Sequence, residues 1–122
     1  MSSRSTGRRR KNEIVAAHTF AALGDPTRLV LVNQLADGTR RSIAQLSEGS
    51  SLTRQGITKH LRVLEDAGVV SSEKAGRETL YGLNPRPIHD AKSYIDVVSR
   101  QWDRAIDRLK AFVEDPTPSS SR

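Results

Sequence analysis

Between Leu52 and Leu64 the chain reads Leu-Thr-Arg-Gln-Gly-Ile-Thr-Lys-His-Leu-Arg-Val-Leu, with two spacings interleaved. Ile57, Leu61 and Leu64 fall within roughly 60° of one another on a helical wheel, the mark of a buried stripe. The opposite face carries Gln55, Lys59, Arg62 and Asp66, flanked by Gly56 and Thr58. These side chains suit nucleic acid. A glutamine amide pairs bidentately with adenine in the major groove, threonine can touch a thymine methyl, and lysine and arginine take guanine or phosphate. Thr53 fits the N-cap of this helix, with Leu52 and Ile57 spaced as a hydrophobic staple. The polar groups then occupy the first two turns, where a recognition helix meets base edges and its free N–H groups favour a phosphate. We expect base readout by Gln55, Thr58 and Lys59, and backbone contacts from Thr53, Arg54 and Arg62. Gly56 costs a helix about 1 kcal/mol relative to alanine; close approach to a DNA strand and simple tolerance both account for it.

Charge supports a polyanionic partner. The 122 residues carry a formal net charge of +6, unevenly spread. Residues 1–12 hold Arg4, Arg8, Arg9, Arg10 and Lys11 with no acid, and residues 40–77 hold seven bases against four acids. The remainder is slightly negative, so the positive charge lies in a directed patch. The N-terminal run either tracks a DNA backbone or is a disordered tail.

Several elements must position the polar helix. Residues 12–22 carry Ile14, Val15, His18, Ala21 and Ala22 at helical spacing, and Gly24 ends that helix. Asp25-Pro26 supplies a cap and a first-turn proline for a second helix through Leu29, Val32 and Ala36, closed by Asp37-Gly38. Ser42 caps a short third helix through Leu46. Gly68 stops the fourth. Two β-prone runs around Lys74-Ala75-Gly76-Arg77 form a hairpin, whose tip can reach an adjacent minor groove through Arg77, with Lys74 and Gly76 beside it. Arg40 and Arg41 are placed to clamp phosphate. Asn84-Pro85 and Pro87 precede a last helix over about Ile88–Glu114. The expected fold is mostly α with a small β-hairpin, a winged helix-turn-helix over residues 12–114 between disordered tails at 1–11 and 115–122.

In the last helix, Ile88, Ala91, Ile95, Val98, Trp102, Ala105, Leu109 and Phe112 are spaced 3,4,3,4,3,4,3, a heptad seam. Tyr94, Val97, Ile106 and Val113 widen it. A helix of about 27 residues spans roughly 40 Å, longer than a small core can cover. The seam predicts a homodimer, joined through the first and last helices, with recognition helices about 34 Å apart on successive major grooves. Trp102 reads as core rather than as the lining of an effector pocket.

Other functions fit poorly. The chain has no cysteine, which excludes disulfides, thiolate metal sites and a cysteine nucleophile. No nucleophile, base and orienting group share a recognisable motif, so we expect no enzyme. No apolar run approaches a membrane span, and no hydrophobic signal core follows the basic N-terminus. The chain therefore reads as cytoplasmic. A winged helix used as a protein-interaction module remains an alternative, although it needs no basic face.

Ala22-Leu23-Gly24-Asp25-Pro26-Thr27-Arg28, the Leu52–Leu64 segment, Gly68-Val69-Val70 and Gly76-Arg77 with Tyr81-Gly82-Leu83 together resemble the arsenical-resistance-repressor (ArsR) family. The resemblance covers roughly residues 13–113. It implies a dimeric winged-helix repressor that leaves its operator when a signal arrives. The family's thiolate sensors place cysteines in the third helix, where this chain has Ser42-Ile43-Ala44-Gln45-Leu46-Ser47. The carboxylate and histidine pattern of the zinc sensors is missing from the last helix, where His89-Asp90 is the only such pair. His18 and His60 are isolated, and His60 reads as a packing residue. The chain is similar to the cysteine-free branch with a Thr-Arg-Gln recognition start and a late tryptophan. We expect no metal and no cofactor; a metal- or small-molecule-responsive repressor with a non-standard effector site is the alternative.

Overall fold

The computed structural model describes residues 2–48 and 50–114, with side chains from Arg10 onward. The order is α1 (Ser2–Leu23), α2 (Pro26–Gln34), β1 (Arg41–Ser42), α3 (Ile43–Ser47), α4 (Arg54–Asp66), β2 (Val70–Ala75), β3 (Glu78–Leu83) and α5 (Pro85–Glu114). The strands form one antiparallel sheet in the order β1-β3-β2. This is the winged helix-turn-helix expected, with a third strand added to the hairpin: Arg41 pairs with Tyr81 and Ser42 with Leu80. A two-residue strand has no period to detect, which is why the sequence does not reveal it.

The helix ends follow the local chemistry. Asp25 caps α2, its Oδ1 accepting from the Thr27 and Arg28 N–H groups at 2.8 and 3.1 Å. Ser42 and Gln45 form a reciprocal capping box on α3. Gly68, at φ +78°, terminates α4 with two paired bonds, Gly68 N–H to Glu65 C=O and Val69 N–H to Leu64 C=O, both 2.9 Å. That pairing is a Schellman closure and needs the left-handed residue.

The core gathers Leu31, Val32, Leu35, Leu46, Ile57, Leu61, Leu64, Val69 and Val70, with Ala22 from α1. The expected α4 stripe is buried as read. Other expectations need correction. In α2 and its C-cap the buried residues are Leu31, Val32 and Leu35, while Leu29 and, just beyond the cap, Ala36 are exposed; Val32 serves both stripes, and packing chose the flank richer in leucine. In α1 the buried face is Ala16, Thr19 and Ala22, so Ile14, Val15, His18 and Ala21 are exposed. Thr19 is tolerated because its Oγ1 donates to the Val15 carbonyl at 3.2 Å.

Both long helices start earlier than apolar periodicity suggests. Segment 2–11, read as a disordered tail, is helical backbone continuous with α1; arginine and lysine are good helix formers, and extending a helix is easier than nucleating one. Pro85 and Pro87 do not break α5 but open it, because first-turn N–H groups have no intrahelical partner to lose. The expected tail at 115–122 lies outside the described residues.

The chain divides into two compact units within α5, between Ala91 and Lys92. In the first, Ile88 packs against the core and Ala91 is buried. The second is the remainder of α5, and no residue between 92 and 114 is buried. No described helix is long and apolar enough to cross a membrane.

Asp25 accepts its hydrogen bonds more strongly as a carboxylate than as a neutral acid, and the Arg28 backbone N–H is the largest influence holding its pKa below the ordinary 3.8. Thr39 N–H does the same for Asp37. Because these native values lie below the unfolded ones, the unfolded chain binds more protons in acid. The stabilisation is complete above the carboxylate range and is lost as pH falls through 3.8 toward the lower native values. Asp25→Asn keeps a capping acceptor but does not titrate, so its urea midpoint should fall less steeply below about pH 4 than that of the parent chain.

Candidate nucleic-acid interface

Thr53 starts α4 in extended backbone, and its Oγ1 accepts from the Gly56 N–H at 3.0 Å. With Ile57, Leu61 and Leu64 fully buried, Gln55, Lys59, Arg62 and Asp66 are exposed together on the far side. Asp66 stands at the C-terminal end, away from the first two turns. Thr58 is half-buried, and its hydroxyl donates to the Arg54 carbonyl at 2.8 Å, leaving its lone pairs free to accept. Arg54 is exposed at the first helical position and borders an open groove of about 280 Å³ with Ser42, Ile43, Ala44, Glu78 and Thr79. Leu52, expected as the outer half of a staple, is 37% exposed.

The wing is a tight hairpin. Ala75 pairs with Glu78 across the two-residue turn Gly76-Arg77. Gly76 has φ +66° and Arg77 does not share the positive φ, the pattern of a type II′ turn with glycine first. Residues 72–78 are all exposed. Lys74 and Arg77 are offset by Glu73 and Glu78, so the wing as a whole is not basic; its tip offers Arg77.

Arg40 and Arg41, expected together as phosphate clamps, have different surroundings. Arg41 is committed within the chain: Nε donates to the Gln34 carbonyl at 2.9 Å and Nη2 to Asp37 Oδ2 at 3.0 Å. Its guanidinium closes the α2–β1 connection. Arg40 is exposed and lies across Gly82 of β3, where an added Cβ would sit 3.0 Å from its Cγ. Its Nη2 reaches Ser71 Oγ at 3.4 Å.

A set of contacts not assigned from sequence holds α4 in place. Arg28 Nε donates to the Ala22 carbonyl and Nη2 to that of Ala21, while Nη1 lies 3.3 Å from His60 Nδ1. Asp25 Oδ1 is 4.0 Å from the same ring nitrogen. One guanidinium thus joins the end of α1, the start of α2 and the flank of α4. The Gly24–Arg28 run was visible as a motif, and His60 as a packing residue, but no local spacing links positions 28 and 60. On the opposite flank, Ser72 Oγ donates to Glu65 Oε2 at 2.7 Å and ties α4 to the wing.

Among the described residues no three His, Cys, Asp or Glu side chains gather as metal ligands.

A helix-turn-helix domain family matches residues 23–73. The helix-turn-helix-type transcriptional regulator YuzN of Bacillus subtilis is 37% identical over 75 residues, covering 57% of this chain and 82% of that protein. The ArsR-like transcriptional regulator of Rhodococcus sp. RHA1 superposes with a TM-score of 0.71 at 31% identity, over 82% of this chain and 93% of its own. This chain belongs to the ArsR family. It is a winged helix-turn-helix transcriptional regulator, and DNA binding is its activity. The transcriptional repressor SmtB of Mycobacterium tuberculosis is 33% identical over 91 residues, 75% of this chain and 65% of that repressor.

Two substitutions test how this ArsR-family helix is built. Thr53→Ala removes the cap and should lower stability by about 1 kcal/mol. Gly56→Ala should raise it by up to about 1 kcal/mol, since an added Cβ meets nothing nearer than Thr53 Oγ1 at 3.4 Å. Urea denaturation of both variants reads the two signs; a destabilised Gly56→Ala would mean the fold itself requires glycine there.

Proposed function

We propose that this chain is a sequence-specific repressor that binds a pseudo-palindromic operator as a homodimer, with α4 of each copy in a major groove. The observation that carries the reading is the two-sidedness of α4: its apolar stripe is fully buried while Gln55, Lys59 and Arg62 are exposed on the other side. Gln55, Thr58 and Lys59 read bases. Thr53, Arg54 and Arg62 hold phosphates, Arg40 adds a backbone contact, and the Arg77 tip, with Lys74 and Gly76, serves the neighbouring groove. Arg41 supports this surface through the α2–β1 connection rather than by a free guanidinium. The function is binding without catalysis, and a DNA target puts its work in the cytoplasm. Repression is supported by relatives that carry that name, the mycobacterial SmtB among them.

The dimer is proposed from the distal half of α5. Trp102, Leu109, Phe112 and Val113 are each more than 60% exposed, and Ile95, Val97 and Ile106 nearly half. A solvated seam of this kind is stabilised when a second copy covers it. Ile95, Val98, Trp102, Ala105, Leu109 and Phe112 remain its candidates, whereas Ile88 and Ala91 are already occupied within the chain. Residues 12–114 are the working domain in this reading.

Gln55→Ala should cost about 1–3 kcal/mol at one base position and relax specificity there. Arg62→Ala should weaken operator and scrambled DNA alike and reduce the salt slope by about one. Anisotropy titrations against both duplexes separate the two roles, and equal losses for Gln55→Ala would remove it from base readout. Leu109→Glu should raise the dimer dissociation constant at least about tenfold, the effect of 1.4 kcal/mol; sedimentation that matches the parent chain would refute the seam.

A further inference from the structure

The densest charge in the chain lies outside α4 and the wing. Arg4, Arg8, Arg9, Arg10 and Lys11 fall within eight consecutive positions that hold no acid, and α1 carries all of them on helical backbone. Positions 4, 8 and 11 recur at i, i+4 and i+7 and so share one face of that helix. Like charges at this spacing repel, so the segment is better accommodated beside a polyanion than in water. Among the residues whose side chains are described, the buried face of α1 begins at Ala16, and Arg10 and Lys11 are exposed.

We propose that residues 4–11 are a basic arm that binds the sugar-phosphate backbone of double-stranded DNA beyond the contacts of α4, raising affinity for every duplex without choosing among sequences. The inference rests on the DNA-binding role of α4. Residues 2–11 contain no apolar side chain, and a helix that settles on a membrane surface needs an apolar face to bury. A phosphate backbone asks only for cations. Each phosphate neutralised on a duplex releases counterions and contributes about −0.9 to the slope of log K against log salt. Four arginines can therefore supply as much as about 3.6 of that slope, enough to be measured against the contribution of α4.

The test compares the full chain with a variant carrying Arg4→Gln, Arg8→Gln, Arg9→Gln and Arg10→Gln, and with Lys59→Ala. Glutamine preserves helix propensity while removing charge. Anisotropy is measured from about 50 to 300 mM salt, on a duplex from the chain's own upstream region and on a scrambled duplex of equal length. The quadruple variant should lose about two or more units of slope. At about 150 mM salt it should bind both duplexes at least tenfold more weakly, with their ratio and the thermal midpoint unchanged. A slope equal to that of the full chain overturns the arm, as does a loss confined to the upstream duplex. Retention on phosphatidylserine vesicles with an unchanged DNA slope overturns it in favour of a membrane. Lys59→Ala keeps the two claims apart: if it leaves the preference between duplexes untouched, the readout assigned to α4 fails, while the slope comparison still decides the arm.

Discussion

The stripe of Ile57, Leu61 and Leu64 has no exposed surface at all, Leu35 and Val69 around it are equally dry, and Leu46 is nearly so. Burying three such side chains is worth about 1.5–3 kcal/mol each, so turning α4 by even one residue about its axis would forfeit more free energy than most single contacts supply. The outward direction of Gln55, Lys59 and Arg62 follows from that. None of the three needs an interaction of its own to face solvent, because the opposite side of the same helix decides it. The face we propose for base readout takes its direction from the core rather than from bonds of its own, which leaves its polar groups free to bond a partner.

Rotation is set by the core, and the flanks of α4 are set by hydrogen bonds. Arg28 uses its planar fork on the Ala21 and Ala22 carbonyls and on His60, a geometry that lysine does not reproduce. The opposite flank is held through Glu65 and Ser72. The helix is thus tied on one side to the α1–α2 junction and on the other to the wing. Arg41 does comparable work one connection away, joining Gln34 and Asp37 so that β1 can pair with β3.

Legibility in the sequence tracked how local the physics was. Thr53 as cap, the α4 stripe, Gly68 as stop and Gly76 at the turn each depend on residues within a turn or two, and each was readable. Choices between equivalent faces were not. Val32 belongs to two possible stripes of α2, and only packing against the other elements of the core favours Leu31 and Leu35 over Leu29 and Ala36. Arginine gave the poorest guide to role. Arg40 and Arg41 are adjacent and chemically identical, yet one is bound to Asp37 and the other lies over Gly82, a difference created entirely by the fold. The Arg28–His60 contact spans 32 positions and leaves no periodic trace.

The uncovered distal part of α5 has a consequence for dosage. If two chains must meet before either seam is dry, the population able to span two half-sites grows with the square of total protein while the chain is dilute, and only linearly once pairing saturates. Occupancy of a promoter would then rise more steeply with dosage than it would for a monomeric binder. On that view the distal part of α5 shapes how the gene switch responds to dose as well as how two copies meet on DNA.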